Sequence, residues 1–579
     1  MCRIADVYMQ TTFNKKIKLL AETSWEVCNK VGGIYTVLST KAAELQKAFG
    51  DRLLFIGPDI WNDENKAPDF TERKTMLGNA SSIEFPYGIK IRCGRWKVPG
   101  SPQAVLVDYK GIFPCLNEIY GRMWRLYGVD SLHSYGDYDE SCAFAVASAI
   151  VIKTLAEHLD IDQSSIVAHF DEWTTGMGLL CLKADMPQAA TIFTTHATTV
   201  GRSICSNGKP LYEYFNAYDG DQMARELNVE SKHSLEKAAA ANADCFTTVS
   251  EVTARECRQL LGVSPAVVTP NGFEPSFVPT DRRWVRLRNK GRKRLLEIAS
   301  RLHNMEYRDN TFILATSGRN EYRNKGLDLF IDSAWRLGEK LAVSRRKVLA
   351  FIFVPSWVKE VNSSLLTDMK FRSSAGSTPD YMTHIIHNED TDAIACSIRA
   401  HKHRREEEGA ESNVRYIYVP CYLDGGDGIV NMNYYDLLPA VDASLFGSYY
   451  EPWGYTPLES VAFGVPTVTT DKAGFGQWVA DNFTPEFDAC GVKVVCRTDS
   501  NYSDNVEEIS NCLSGYMNAS ADEVSDIRKA ARATAESASW EFFIKEYYKA
   551  FGVAMESSGK RNKRRPGRPK KTQDHNGAL

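Results

Sequence analysis

Glu451 and Glu459 stand eight positions apart in Y-Y-E-P-W-G-Y-T-P-L-E, residues 449–459, among two prolines, a glycine and four aromatics. Carboxylates accept hydrogen bonds from vicinal sugar hydroxyls. The start of a helix offers unpaired backbone N–H groups that hold a phosphate. Pro452 pushes Glu451 towards an extended backbone. Thr456 is read as the N-cap of a helix and Pro457 as its first residue. Glu451 then precedes the helix, Glu459 lies in its first turn, and both face one cleft. The plainer alternative is an acidic loop whose glutamate only favours a helix start through the dipole.

Cations appear in S-G-R-N-E-Y-R-N-K-G, residues 317–326, after an apolar run at 311–316. Arg319 can grip a diphosphate with two nitrogens, and Lys325 adds a point charge. Together with a helix end they could neutralise a leaving diphosphate without a divalent metal. D-x-D triplets occur at 137–139, 160–162, 219–221 and 390–392, but none follows a strand whose end carries these cations. They read as solvated acidic turns, and no metal or other cofactor is expected. T-T-H-A-T-T-V-G-R, residues 194–202, places His196 and Arg202 at another strand end, and A-H-F-D-E-W, residues 168–173, does the same for Asp171 and Glu172. In N-K-V-G-G-I, residues 29–34, Lys30 precedes Gly32 and Gly33. Paired glycines let backbone approach a ligand closely, although a simple turn needs the same pair.

The elements that must position these residues follow an alternating pattern. Short apolar runs at 17–21, 53–56, 104–107, 166–168 and 190–194 are read as strands, with helices at 34–49 and 140–159. Strands resume at 311–316, 348–354, 414–419, 443–446 and 465–469. Such alternation predicts an α/β protein with parallel sheets covered by helices. Ligands in such folds bind at the carboxyl ends of strands. The stretch V-V-T-P-N-G-F-E-P-S-F, residues 267–277, closes a first domain of 1–277. A second domain covers 278–540. It begins with a basic helix at 282–303, read as a solvated face or a contact with another subunit. A polar, helix-rich insertion spans about 356–413; its His384, His387, His401 and His403 are read as scattered surface histidines. A helix at 541–557, rich in aromatics, should pack back on the first domain. Residues 558–579 should form a disordered basic tail.

The chain has 579 residues, 43% hydrophobic and 25% charged, with a net charge of −4. That length implies two to four domains, and that charge points to neither nucleic acid nor membrane for the body of the protein. The amino terminus lacks a signal-peptide pattern, and no run of about 18 apolar residues predicts a membrane span. Fourteen cysteines without a C-x-x-C pair read as buried, reduced thiols of a cytoplasmic protein. In the tail, R-R-P-G-R-P-K-K resembles an AT-hook, which enters the minor groove of A·T-rich DNA; a solvated basic tail is the plainer reading.

Taken together, these motifs resemble those of glycogen synthases of the animal and fungal type. The likeness runs from K-V-G-G through T-P-N-G-F and G-R-N-E-Y-R-N-K-G to Y-Y-E-P-W-G-Y-T-P-L-E, which contains that family's E-x7-E signature. The resemblance implies the GT-B fold, two Rossmann-like domains facing a deep cleft, and a retaining transfer of glucose to an α-1,4-glucan. K-V-G-G, where the bacterial and plant type usually shows K-T-G-G, leans the donor towards UDP-glucose over ADP-glucose. By the same resemblance, Glu451 contacts the donor glucose and Glu459 the ribose hydroxyls. Arg319 and Lys325 bind the diphosphate with help from Arg202, and His196 lines the glucose pocket. Gly32 and Gly33, beside Lys30, let the first helix approach the donor. Tyr434, in N-M-N-Y-Y-D, either stacks on the base or packs in the core. Tyr455, Thr456, Asp171 and Glu172 complete the substrate-binding set. The family's carboxyl-terminal arginine cluster, which senses glucose 6-phosphate, shrinks here to Arg528, Lys529 and Arg532, so weak or absent activation is expected. The family forms homo-oligomers. Another retaining GT-B transferase, or an inactive glucan-binding scaffold, are the competing readings.

Overall fold

A computed structural model of the chain describes residues 14–61, 67–341, 346–366, 379–408 and 413–563. In the first domain the strands are β1 (Leu19–Thr23), β2 (Leu53–Pro58), β3 (Phe70–Glu72), β4 (Lys90–Trp96), β5 (Gln103–Asp108), β6 (Ile166–Asp171), β7 (Ala190–Thr195), β8 (Cys245–Thr248) and β9 (Val267–Val268). They form one sheet in the order β3-β4-β5-β2-β1-β6-β7-β8-β9. β1, β2, β5 and β6 to β9 pair in parallel, while β3 and β4 add an antiparallel edge beside β5. That edge is absent from the sequence reading, because β4 mixes lysine, arginines and glycine into its apolar positions.

In the second domain the strands are β10 (Phe312–Ser317), β11 (Val348–Phe353), β12 (Val358–Val361), β13 (His384–Ile386), β14 (Val414–Val419), β15 (Ala443–Phe446), β16 (Thr467–Thr470) and β17 (Val492–Val495). Six of them form a parallel sheet in the order β14-β11-β10-β15-β16-β17. Strands covered by helices on both faces read as continuous apolar runs, and V-L-A-F-I-F of β11 is fully buried. Strand order reverses between β1 and β6 in the first sheet and between β10 and β15 in the second. At such a point the flanking loops diverge and leave a crevice at the carboxyl ends of the strands. The five stretches that carry the candidate glutamates, cations, histidine and paired glycines follow β1, β6, β7, β10 and β15.

Four expectations change. The insertion is not helical throughout: β12 and β13 pair antiparallel, and one helix, Ala393–Glu408, follows. V-K-E-V and H-I-I are short β-branched runs, which favour strands. Its histidines are not all superficial. His401 stacks on Trp335 at 4.8 Å and bonds Asp332 at 2.8 Å, and His384 is buried. The basic helix, Asp281–His303, is not only solvated. Arg288 and Arg292 bond the two carboxylate oxygens of Asp442 at 2.7 and 2.8 Å. Residues 558–563 continue the last helix, Trp540–Lys563, instead of joining the tail. Ser558 Oγ donates to the Gln188 carbonyl at 2.8 Å, and Arg561 bonds the carbonyls of Pro187 and Ala189 and pairs with Asp244. Those first-domain acceptors give the polar helix end partners that its composition does not reveal. The AT-hook-like stretch lies outside the described residues.

That last helix does pack back on the first domain. Trp540 is buried, and its Nε1 donates to Thr40 Oγ1 at 2.7 Å. Among the described residues one helix, Tyr138–His158, is long and apolar enough to cross a membrane, but most of its apolar stretch is buried inside the domain. It is a core helix against the sheet.

Candidate active site

The second-domain wall of the cleft is built by the loops after β10 and β15. Gly326 has φ +68°, and a Cβ there would lie 2.0 Å from the Gly447 carbonyl oxygen. Only glycine lets the two loops meet this closely. Tyr449 and Tyr450 donate their N–H groups to the Asn324 carbonyl at 3.0 and 3.1 Å, joining the loops further. The result brings Lys325 Nζ onto the Glu451 carboxylate, with both side chains less than one-sixth exposed. Glu451 is held extended by a backbone bridge to Ala473, as a residue before proline should be.

The helix carrying Glu459 runs Tyr455–Ala462 and is capped by Gly454, not by Thr456. Gly454 has φ +102°, and a Cβ there would press on Pro457 and Glu451. The chain therefore turns two residues earlier than proline and threonine preferences suggest, and Glu459 falls in the second turn instead of the first. Pro457 still falls in the first turn, where its missing N–H costs nothing. Glu459 is buried, accepts from Tyr435 Oη at 2.7 Å, and is pushed up to about 7 by burial, against the Tyr435 hydrogen bond and the Lys30 charge. Lys30 belongs to the first domain, so its charge reaches Glu459 across the cleft.

The first-domain wall is assembled differently. Asp171, the last residue of β6, is buried and accepts from His196 Nε2 at 3.1 Å. Glu172 adopts φ +67°, which costs a non-glycine residue backbone energy. The turn is held because its Oε1 accepts the N–H groups of His196 and Ala197 at 2.9 and 3.1 Å. After β1, Gly32 caps the helix Gly33–Phe49, but a ligand's phosphate would meet a carboxylate there. Glu26 Oε2 accepts from the N–H groups of Gly32 and Tyr35 at 2.6 and 2.9 Å. Burial raises the Glu26 carboxyl above its usual range, against those two hydrogen bonds. Glu26 has no signal in the sequence beyond its distance from the glycine pair.

Arg202 stands between the walls. Its side chain is exposed to the cleft; desolvation by the surrounding walls opposes its charge, but Glu172 of the first domain, together with Tyr450, Glu321 and Glu451 of the second, more than offsets this and raises its pKa. Arg319, by contrast, is more than half exposed and pairs with Glu321 at 3.0 Å; it is not drawn to the Lys325–Glu451 pair. Tyr434 is half-buried, with its hydroxyl 2.7 Å from Ser317 Oγ. Tyr455 reaches the Gly272 carbonyl at 3.4 Å, a contact between the domains, and Thr456 is half-buried beside it.

Two groups of potential metal ligands come together among the described residues. In Glu22, His169 and Asp171 the Lys41 ammonium sits on Glu22 Oε1, while Glu22 Oε2, His169 Nδ1 and Asp171 Oδ2 are buried without a hydrogen-bond partner among the described residues. In His384, Cys421 and Asp427, both imidazole nitrogens of His384 are engaged, by Thr383 Oγ1 and the Asp427 carbonyl. The Asp427 carboxylate takes the N–H groups of Ile429, Val430 and Asn431.

Cations and a carboxylate at one switch point, facing an arginine and a histidine that follow β7, suit transfer of a sugar from a phosphorylated donor. The family model described as glycogen synthase matches residues 22–374 and 362–563. The liver glycogen [starch] synthase of Mus musculus is 30% identical over 86% of this chain and 78% of its own length. The glycogen [starch] synthase of Neurospora crassa is 28% identical over 93% and 84%. The catalytic domain of starch synthase IV from Arabidopsis thaliana, solved with ADP and acarbose, superposes with a TM-score of 0.54 at 14% identity, over 93% of this chain and 100% of that one. That likeness shows the fold, which is GT-B. The chain belongs to the glycogen synthase family.

Proposed function

We propose that the enzyme transfers glucose from UDP-glucose to the 4-hydroxyl at a non-reducing end of an α-1,4-glucan, retaining the anomeric configuration. The observation that carries this reading is the Lys325–Glu451 pair at the switch point of the second sheet, with Arg202 facing it. As the bond to UDP breaks, positive charge grows on the glucose ring and negative charge on the diphosphate. Fixed charges aimed at that separation are the main catalytic term. Lys325 and Arg202 meet the diphosphate, Arg319 swings from Glu321 onto it, and Glu451 supports the ring. Glu459 accepts the ribose hydroxyls, and the closed cleft keeps water from the donor. With these cations in place the reaction needs no metal. Every described cysteine is free, which fits a reducing cytoplasm.

Activation by glucose 6-phosphate should be weak or absent. Arg528 and Arg532 stack over Trp284 at 5.7 and 5.0 Å, and Arg528 also bonds the carbonyls of Gly464 and Val441. A homo-oligomer and a weak, salt-sensitive contact of the basic tail with DNA complete the proposal.

The test is incorporation of labelled glucose into glycogen from UDP-glucose and, separately, ADP-glucose. Each is run with a chelator present, with and without glucose 6-phosphate. Transfer from UDP-glucose under chelation, unchanged by the effector, is the expected result. Transfer only from ADP-glucose would move the donor, and none from either would favour another sugar or a scaffold.

A further inference from the structure

The domains meet at a buried carboxylate for which the reaction has no use. Asp499 lies in the loop after β17, and its side chain is 6% exposed. Its Oδ2 accepts the N–H groups of Tyr212 and Glu213, in the first domain, at 3.1 and 2.8 Å. Its Oδ1 accepts from Arg323 Nη2 at 3.2 Å and from the Tyr449 hydroxyl, both in the second. That hydroxyl accepts the N–H of Leu211 at 2.8 Å, and Tyr212 Oη donates to the Tyr449 carbonyl at 2.9 Å. Arg323 Nη1 reaches the Gly208 carbonyl at 3.2 Å, with its guanidinium 4.3 Å over the Tyr449 ring. One carboxylate thus gathers donors from both domains.

Its two second-domain partners stand where the chemistry is. Arg323 is two residues before Lys325, and Tyr449 two before Glu451. The next tyrosine crosses the interface as well: Tyr450 Oη donates to Glu256 Oε2 at 3.0 Å. The same oxygen takes the Thr198 hydroxyl at 2.8 Å, four residues before Arg202. Buried charges are retained where their donors are in place, so separating the domains here strips Asp499 of two backbone partners and leaves them unpaired.

We infer that Asp499 is a positioning residue for transfer. It holds segment 208–213 of the first domain on the two segments that carry Lys325 and Glu451, so the cleft is closed and aligned before the donor arrives. The kinetic consequence rests on the catalytic reading of Lys325 and Glu451; the contact itself does not.

The test uses the full chain with Asp499→Asn and, as a variant that keeps the ring packing, Tyr449→Phe. Hydrogen exchange followed by mass spectrometry reads the amides of 211–213 directly. In the parent these are expected to be protected without ligand. In both variants protection falls and returns with saturating UDP. The donor KM rises about tenfold for each 1.4 kcal/mol of closure lost, with kcat little changed, because only the competent fraction falls. Equal protection in parent and variants, fast exchange in the ligand-free parent, or a kcat loss without a KM change would overturn the proposal. The exchange measurement needs no turnover, so it stands apart from whether Lys325 and Glu451 prove catalytic.

Discussion

The two walls of the cleft are built on opposite plans. On the first-domain side, Glu26, Asp171 and Glu172 spend their oxygens on backbone and imidazole N–H groups of their own domain. On the second-domain side, Arg319 is exposed on a pair with Glu321, and Lys325 pairs with Glu451 in the cleft. The first wall is scaffold: its charges hold loops in shapes they would otherwise leave, including the positive φ of Glu172. The second wall keeps charge available for a ligand. The difference teaches that acidic residues at strand ends are not one class. Some face the substrate, and others hold the residues that do.

This contrast predicts that substituting the second-wall cations costs rate or donor binding, and that substituting the first-wall carboxylates costs stability. The largest effect belongs to Lys325→Ala, for which turnover should fall about 10²–10³-fold with the thermal unfolding profile little changed. A matching loss of stability would put Lys325 in the scaffold. Next is Glu26→Ala, which leaves the N–H groups of Gly32 and Tyr35 without their acceptor and should cost about 1–3 kcal/mol in denaturant unfolding. An unshifted midpoint would break the comparison.

Glu459 supplies a third test, through pH. Its folded value of about 7 lies above the ordinary 4.5, so the folded state holds the proton more tightly. Its contribution is therefore full below about pH 4.5 and lost as pH rises through 7, on the order of 3 kcal/mol in all. Glu459→Gln should flatten that part of the stability profile and leave the variant the more stable of the two at pH 8. Equal slopes in parent and variant would contradict the burial argument. The smallest effect is Arg319→Ala. An exposed pair contributes about 0–1 kcal/mol, so ligand-free stability should hold while the thermal shift produced by UDP shrinks. A full UDP shift in this variant would remove Arg319 from the diphosphate.

The strands that place the site were legible because buried parallel strands are short apolar runs. The 311–316 and 443–446 runs fall within one residue of β10 and β15. The motifs were legible because glycine, proline and charge cluster where strands end. What stayed hidden depends on partners far away in the chain. Arg292 looks solvated until Asp442, 150 residues on, is placed beside it. Arg561 looks disordered until the carbonyls of Pro187 and Ala189 appear. Asp499, in the ordinary loop C-R-T-D-S, carries no local signal, since its donors come from 212, 213, 323 and 449. The N-cap was misplaced for a local reason: the left-handed turn at Gly454 outweighs the capping preference of Thr456.

The central claim is that the Lys325–Glu451 pair sits at the reacting centre. Its most direct test is the turnover number of Glu451→Gln for labelled glucose transfer onto glycogen at saturating donor, with circular dichroism confirming the fold. The account predicts a fall of about two orders of magnitude or more with the protein intact. Near-parental turnover in a folded Glu451→Gln enzyme would contradict it.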